Sequence, residues 1–192
     1  RSSVGVALRQ AWYRLDVSGD EDSTQLAVTY DYEVTDRDRL VVALGGYYNT
    51  GDAAGTDPDE ARTGPVFEFR WNREYRDFTL GAYANHRPSA GGALPGTAIQ
   101  SVVGLSLRST GQRKWGWGVF PRVAYRDPAD PQDDGRTSGA LSLEVDRGLT
   151  QKFRVRLRTD YIDQKYSDPG VEDRSSFSAY LGLIWLPKGG TR

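Results

Sequence analysis

Apolar and polar side chains alternate with period two along nearly the whole chain, the signature of strands with one apolar and one polar face. Leu26, Val28, Tyr30, Tyr32 and Val34 are interleaved with Ala27, Thr29, Asp31 and Glu33. Phe153, Val155, Leu157, Thr159 and Tyr161 are interleaved with Arg154, Arg156, Arg158 and Asp160. Similar runs surround Trp115 to Tyr125 and Phe177 to Trp185. The pattern predicts ten strands, at 4–17, 24–35, 39–50, 65–75, 77–87, 99–109, 114–126, 138–147, 151–164 and 174–187. Apolar residues at i, i+3, i+4 and i+7 are sustained nowhere, so no helix is expected.

The links between segments alternate in length. Thr35-Asp36-Arg37-Asp38, Arg76 with Asp77, Thr110-Gly111-Gln112-Arg113 and Gly148-Leu149-Thr150 are tight. The links after segments one, three, five, seven and nine are longer and rich in Gly, Pro and Asp, as in 51–64, 88–98 and 127–137. Hairpins that end alternately at two rims give this rhythm, and a Greek-key sandwich has no reason to. The expected fold is all-β: a closed antiparallel up-and-down transmembrane β-barrel of about ten strands. Residues 1–187 would form the one domain and 188–192 a C-terminal tail.

Alternation does not say which face points inward. The faces expected to be apolar carry almost no charge in their middle stretches. The opposite faces hold Asp31, Glu33, Glu68, Arg70, Arg122, Glu144, Asp146, Arg154, Arg156, Arg158 and Asp160. Burying one sign of charge alone in a narrow interior is costly, and this set supplies both. Large aromatics fall near strand ends. Phe78, Trp115, Trp117, Phe153 and Trp185 are expected towards the short turns, and Tyr30, Tyr48, Phe67, Tyr125 and Tyr161 towards the long loops. Two such girdles suit the interfaces of a bilayer, where an amphipathic ring keeps its polar edge wet. The charged set is therefore expected to face a lumen and the apolar set to face lipid. A lumen near the filled limit, plugged or very narrow, follows from ten strands with long charged side chains inside.

Composition modifies this picture in a few places. Hydrophobic residues make up 38% and charged ones 27%, and the mean hydropathy is -0.62. Such values suit a protein in water, yet a membrane strand needs only about 9–11 residues with every second one apolar. No run approaches the roughly 18 apolar residues of a membrane helix. No signal peptide is present, and the sequence opens on Arg1, as expected where a leader or tag has been removed. With 25 basic against 26 acidic residues, no nucleic-acid partner is expected. Cysteine is absent and His86 is the one histidine, so neither disulfides nor a zinc site is expected, and no cofactor.

The last hairpin carries the best local match to known proteins. It runs from Leu149-Thr150-Gln151-Lys152-Phe153 through Tyr166-Ser167-Asp168-Pro169 and then from Arg174 to Trp185. With Gly182 late in the strand and Trp185 near its end, it resembles the closing hairpin of small Gram-negative outer-membrane β-barrel proteins. The chain departs from that pattern where it runs on to Leu186-Pro187 and Lys188-Gly189-Gly190-Thr191-Arg192 without a terminal Phe. The resemblance is architectural and spans almost all residues. It implies a place in the bacterial outer membrane, with the lipid bilayer and other outer-membrane or periplasmic proteins as partners.

The expected function is a membrane scaffold, anchor or narrow channel, with recognition in the long loops and no catalytic residue. One alternative is a soluble lipocalin-like barrel around a small hydrophobic ligand. Another is a hydrolase at the rim centred on His86, near Asp52, Asp57, Asp163 and Asp168 in outer loops, as omptin-like ten-stranded proteases would place such groups. Lipid A deacylases need His and Ser two apart on one strand face, and His86-Arg87-Pro88-Ser89 does not supply that spacing. Asp127, Asp130, Asp133 and Asp134 lack the spacing of an EF-hand and read as a solvated turn. Gly116 and Gly118, between tryptophans with no helix following, are read as packing glycines rather than a nucleotide loop.

Overall fold

The computed structural model describes residues 1–15, 19–51, 62–89, 98–109, 114–127, 135–150, 153–167 and 170–185. Ten strands form one sheet: β1 Ser2–Leu15, β2 Gly19–Thr35, β3 Asp38–Gly51, β4 Arg62–Glu74, β5 Phe78–Ser89, β6 Ala98–Ser109, β7 Trp115–Asp127, β8 Arg136–Gly148, β9 Phe153–Tyr166 and β10 Arg174–Trp185. Each pairs antiparallel with the next in sequence, in the order β1 to β10. The strands reach further towards the long-loop side than the alternation predicts; β2 begins at Gly19 and β4 at Arg62. Backbone pairing does not need an apolar face, so a ladder continues where the period-two pattern has ended. Gly19 to Ser23, expected in the first long loop, belong to β2 and pair with Leu15 to Ala11 of β1.

One expectation is corrected. The sheet is not closed into a barrel: β1 pairs with β2 alone, β10 pairs with β9 alone, and among the described residues no ladder joins them. The physical reason is that each hairpin is specified by a local turn and two neighbouring runs. A β1–β10 ladder would join the strands furthest apart in sequence, and period-two alternation carries no information about it. The tail 188–192, together with Leu186 and Pro187, lies outside the described residues, as do the loop residues Asp52, Asp57, Asp130, Asp133, Asp134 and Asp168.

The open sheet is nonetheless strongly curled. Its strands shield one side and leave the other open. Curvature has a sense. Buried residues of the sheet such as Ser23, Gln25, Ala43, Asn49, Val66, Ala98, Ala124, Ser142 and Glu144 all sit on one side in the register. That side is concave, and it is built from polar and small side chains. Val28, Leu44, Val103, Val123 and Leu143 sit on the other side and are exposed. The usual arrangement, apolar inside and polar outside, is inverted.

Local chemistry fixes the short turns. The Thr35 hydroxyl accepts from the Arg37 and Asp38 amides at 3.2 and 3.1 Å and donates to Asp38 Oδ2 at 2.8 Å. A β-bulge between Glu33 and Thr35 takes up the register change before this turn. On the concave side glycines make room for rings on the neighbouring strand. A Cβ on Gly64 would fall 2.6 Å from the Tyr47 ring, and one on Gly104 would fall 2.5 Å from the Tyr83 ring. Each tyrosine lies flat across its glycine, a pairing that steadies a sheet where the glycine alone would weaken it. Tyr83→Ala is expected to lower stability by about 1 kcal/mol. Gly104→Val, which drives the ring out, should cost about 1–3 kcal/mol. Urea unfolding of the two variants against the parent protein checks both the order and the sizes.

Candidate functional site

The convex face is predominantly apolar, with exposed aliphatic and aromatic side chains on eight of the ten strands. From Val4, Val6 and Leu8 on β1 it runs through Leu26 and Val28, Val103 and Leu105, Val123, Leu143 and Leu157 to Phe177, Leu181 and Leu183 on β10. Exposure reaches 78% at Leu181, a level at which a large aliphatic side chain is left almost wholly to its surroundings. A shallow apolar groove of about 440 Å³ interrupts this surface where Gly139 lies among Val103, Val123, Leu141 and Tyr161.

The register puts Tyr30, Tyr48, Phe67, Phe78, Trp115, Trp117, Tyr125, Phe153, Tyr161 and Trp185 all on this face. Trp115 and Trp117 open β7 and Phe153 pairs with Trp185, beside the short turns. Arg147 lies over the Trp115 ring with 5.0 Å to its centroid, so a cation tops the ring at this rim. Tyr48 and Tyr125 stand near the long-loop end. Tyr30 does not. It stacks on Tyr32 at 5.9 Å and lies nearer the short turn after Thr35 than the opposite end of β2 at Gly19.

The charged residues singled out in the sequence all share the concave face. Asp31 and Arg39 are bound directly across β2 and β3. Glu33 lies 4.0 Å from the amino group of Arg1, and Arg70 pairs with Glu68 at 3.0 Å. The densest cluster spans β6 to β9. Arg156 Nε meets Glu144 Oε1 at 2.9 Å, and Arg108 approaches the same carboxylate at 3.7 Å. Arg154 is bound to Asp146, which Arg156 also nears at 3.9 Å. Arg158 donates to Asp160 at 3.0–3.1 Å, and the Ser142 hydroxyl donates to the same carboxylate. Arg122 acts on Asp160 electrostatically.

Glu144 is only 6% exposed, and a carboxylate so shielded is tolerable when guanidinium groups surround it. Two glycines allow that. A Cβ on Gly116 would sit 2.7 Å from the Asp146 carboxylate. Gly118 stands between Arg108 and Glu144 in the ladder and makes room for the Phe120 ring, over which Arg108 lies at 5.2 Å as it approaches Glu144. The packing role read for these glycines in the sequence thus has a concrete partner for each. On the other half of the sheet, a cavity of about 350 Å³ lies among Glu68, Arg70, Asn72, Tyr83, Asn85 and Ser106.

The structure also joins two residues that sequence spacing left apart. His86 on β5 and Ser101 on β6 are directly opposite on the convex face, with Nδ1 and Oγ 2.8 Å apart. The sequence signal for this pair is cross-strand register, which is fixed only once the β5–β6 link is known. Ser89, the serine nearer in sequence, faces the other way. Among the described residues no carboxylate hydrogen-bonds the His86 ring, and no group of three or more His, Asp or Glu is placed to hold a metal ion.

No protein-family profile matches this sequence, and no curated protein matches it either.

Glu144→Ala is expected to destabilise the protein by about 1–3 kcal/mol, since Arg156 and Arg108 lose their shared carboxylate while keeping partial contact with water. Adding Arg156→Ala should recover part of the loss. A double-mutant cycle of unfolding free energies checks it, and strict additivity would mean the pair contributes nothing.

Proposed function

We propose that this chain is an integral outer-membrane β-sheet protein, with its convex apolar face against lipid and its concave charged face lining an enclosed or aqueous interior. In this reading it serves as a scaffold or anchor, with a narrow charged path along the concave side. The observation that carries it is the inversion of the two faces. Aliphatic and aromatic residues from eight of the ten strands, all but β4 and β5, are exposed, while the shielded side holds Ser23, Gln25, Asn49 and Glu144. A large, predominantly apolar surface is not left to water by a soluble monomer. Strands of 12 to 17 residues exceed the roughly 9–11 needed to cross a bilayer at a tilt. No helix among the described residues is long and apolar enough to cross a membrane, so the strands carry any crossing in this reading. A soluble barrel around a hydrophobic ligand would need the opposite distribution, with the apolar side chains on the shielded side.

A comparison of two arginine substitutions tests this. Val123→Arg lies on the convex face at a position 57% exposed, and Ser176→Arg lies on the concave face of β10. In lipid the first should cost about 2–4 kcal/mol near the bilayer midplane, and the second little. The protein should also resist carbonate extraction from membranes. Equal, near-zero effects of both substitutions and full recovery in buffer would contradict the reading, because an exposed position in water accepts arginine without penalty.

A second reading has one contact in its favour. The His86–Ser101 hydrogen bond pairs a base with a hydroxyl, which ester hydrolysis requires. If the pair is catalytic, hydrolysis of acyl esters presented in micelles should fall to background in Ser101→Ala. Unchanged turnover ends that reading.

A further inference from the structure

We infer that the free edges β1 and β10 are joined between two copies of this chain, β10 of one copy adding to β1 of the other. The inference rests on the membrane reading above, in which an uncovered row of backbone N–H and C=O groups has no water to bond. Both edges are long, at 14 and 12 residues. Natural edges use lysine, proline, bulges and charges against pairing, and of these the two strands carry only the arginines Arg9, Arg14 and Arg174. β1 and β10 contain no lysine and no proline, and their ladders to β2 and β9 run without a bulge.

The two edges fit each other. β1 and β10 run antiparallel in the meander, so the junction repeats the geometry of the other hairpins. Val4, Val6 and Leu8 on one edge and Phe177, Leu181 and Leu183 on the other extend the same convex face. On the concave face the sheet fills its glycine notches with tyrosines from the next strand, as Tyr47 does at Gly64 and Tyr83 at Gly104. β10 presents one more such ring, Tyr180, 60% exposed. On that face β1 offers the small residues Ser3, Gly5, Ala7 and Ala11 to receive it, and a Cβ on Gly5 would meet nothing within 4 Å.

Within one chain the two edges stay apart. A second copy supplies a β10 for each β1 and a β1 for each β10, with both faces already on the correct sides. A two-fold axis along the curl makes both junctions at once and leaves no edge free. The concave charged face is then completed by the partner copy, so the interior belongs to two chains.

The absence of cysteine makes the test clean. Ala7→Cys is made in one preparation, and Ser176→Cys, Ser178→Cys, Tyr180→Cys, Gly182→Cys and Ile184→Cys in five others, the set covering the registers that place Tyr180 against any concave residue of β1 from Ser3 to Ala11. The β1 variant is mixed with each β10 variant and refolded into phosphatidylcholine vesicles under mild oxidation. A disulfide-linked two-chain species is expected with one β10 variant, and not when the β1 variant is refolded alone. A chain carrying both cysteines that forms an internal bridge and runs as a single chain overturns the inference. So does the absence of any bridge together with a single-chain mass in detergent. Carbonate extraction of the same vesicles reports membrane insertion separately, so loss of the edge junction is told apart from loss of the membrane reading.

Discussion

Parity is the constraint on which everything else depends. Side chains alternate across a strand, so the ladders keep two distinct faces only if each register matches apolar positions with apolar ones. A slip of one residue in a single ladder would put Arg156 and Arg158 of β9 opposite Val145 and Leu143 of β8. The observed register instead sets Arg158 against Glu144 and Arg156 against Asp146, with Leu157 against Val145. The bulge between Glu33 and Thr35 sits beside a turn, where it disturbs no more than the end of a ladder.

Given that parity, the charges fix what the concave side can be. A face of leucines would draw the sheet shut around an apolar core. Here the shielded groups are carboxylates and guanidinium groups that form ion pairs along and across strands. Glu144 is held between Arg108 and Arg156, and Asp160 between Arg158 and Ser142. Glycines are placed where these long side chains and the tyrosine rings need space. The interior is thus a network of paired charges, while the greater part of the apolar surface is turned outward.

Much of this was legible in the sequence because it depends on local pattern. Ten strands, the alternation of short and long links and the division into charged and apolar faces all follow from period two and turn chemistry. What depends on long-range register was not legible. The long-short rhythm suggested a closed barrel, and the structure leaves β1 and β10 unpaired. Tyr30, expected near the long loops, stands towards the short-turn end of β2, and its place follows from the strand's end at Thr35. His86 met Ser101 rather than a residue near it in sequence, because the β5–β6 register brings the two together. The reach of Arg108 across Gly118 is likewise a property of three strands at once.

The inversion of the two faces is the central claim, and tryptophan fluorescence tests it most directly. With Trp12 and Trp71 replaced by Phe, the remaining Trp115, Trp117 and Trp185 all stand on the convex face at the short-turn rim. The protein is refolded into bilayers that carry bromine at graded depths along the acyl chains. The account predicts strong quenching by bromines near the headgroups, weaker quenching from the bilayer centre, and a blue-shifted emission. Emission that no brominated lipid quenches, from a protein that remains monomeric in plain buffer, would contradict it.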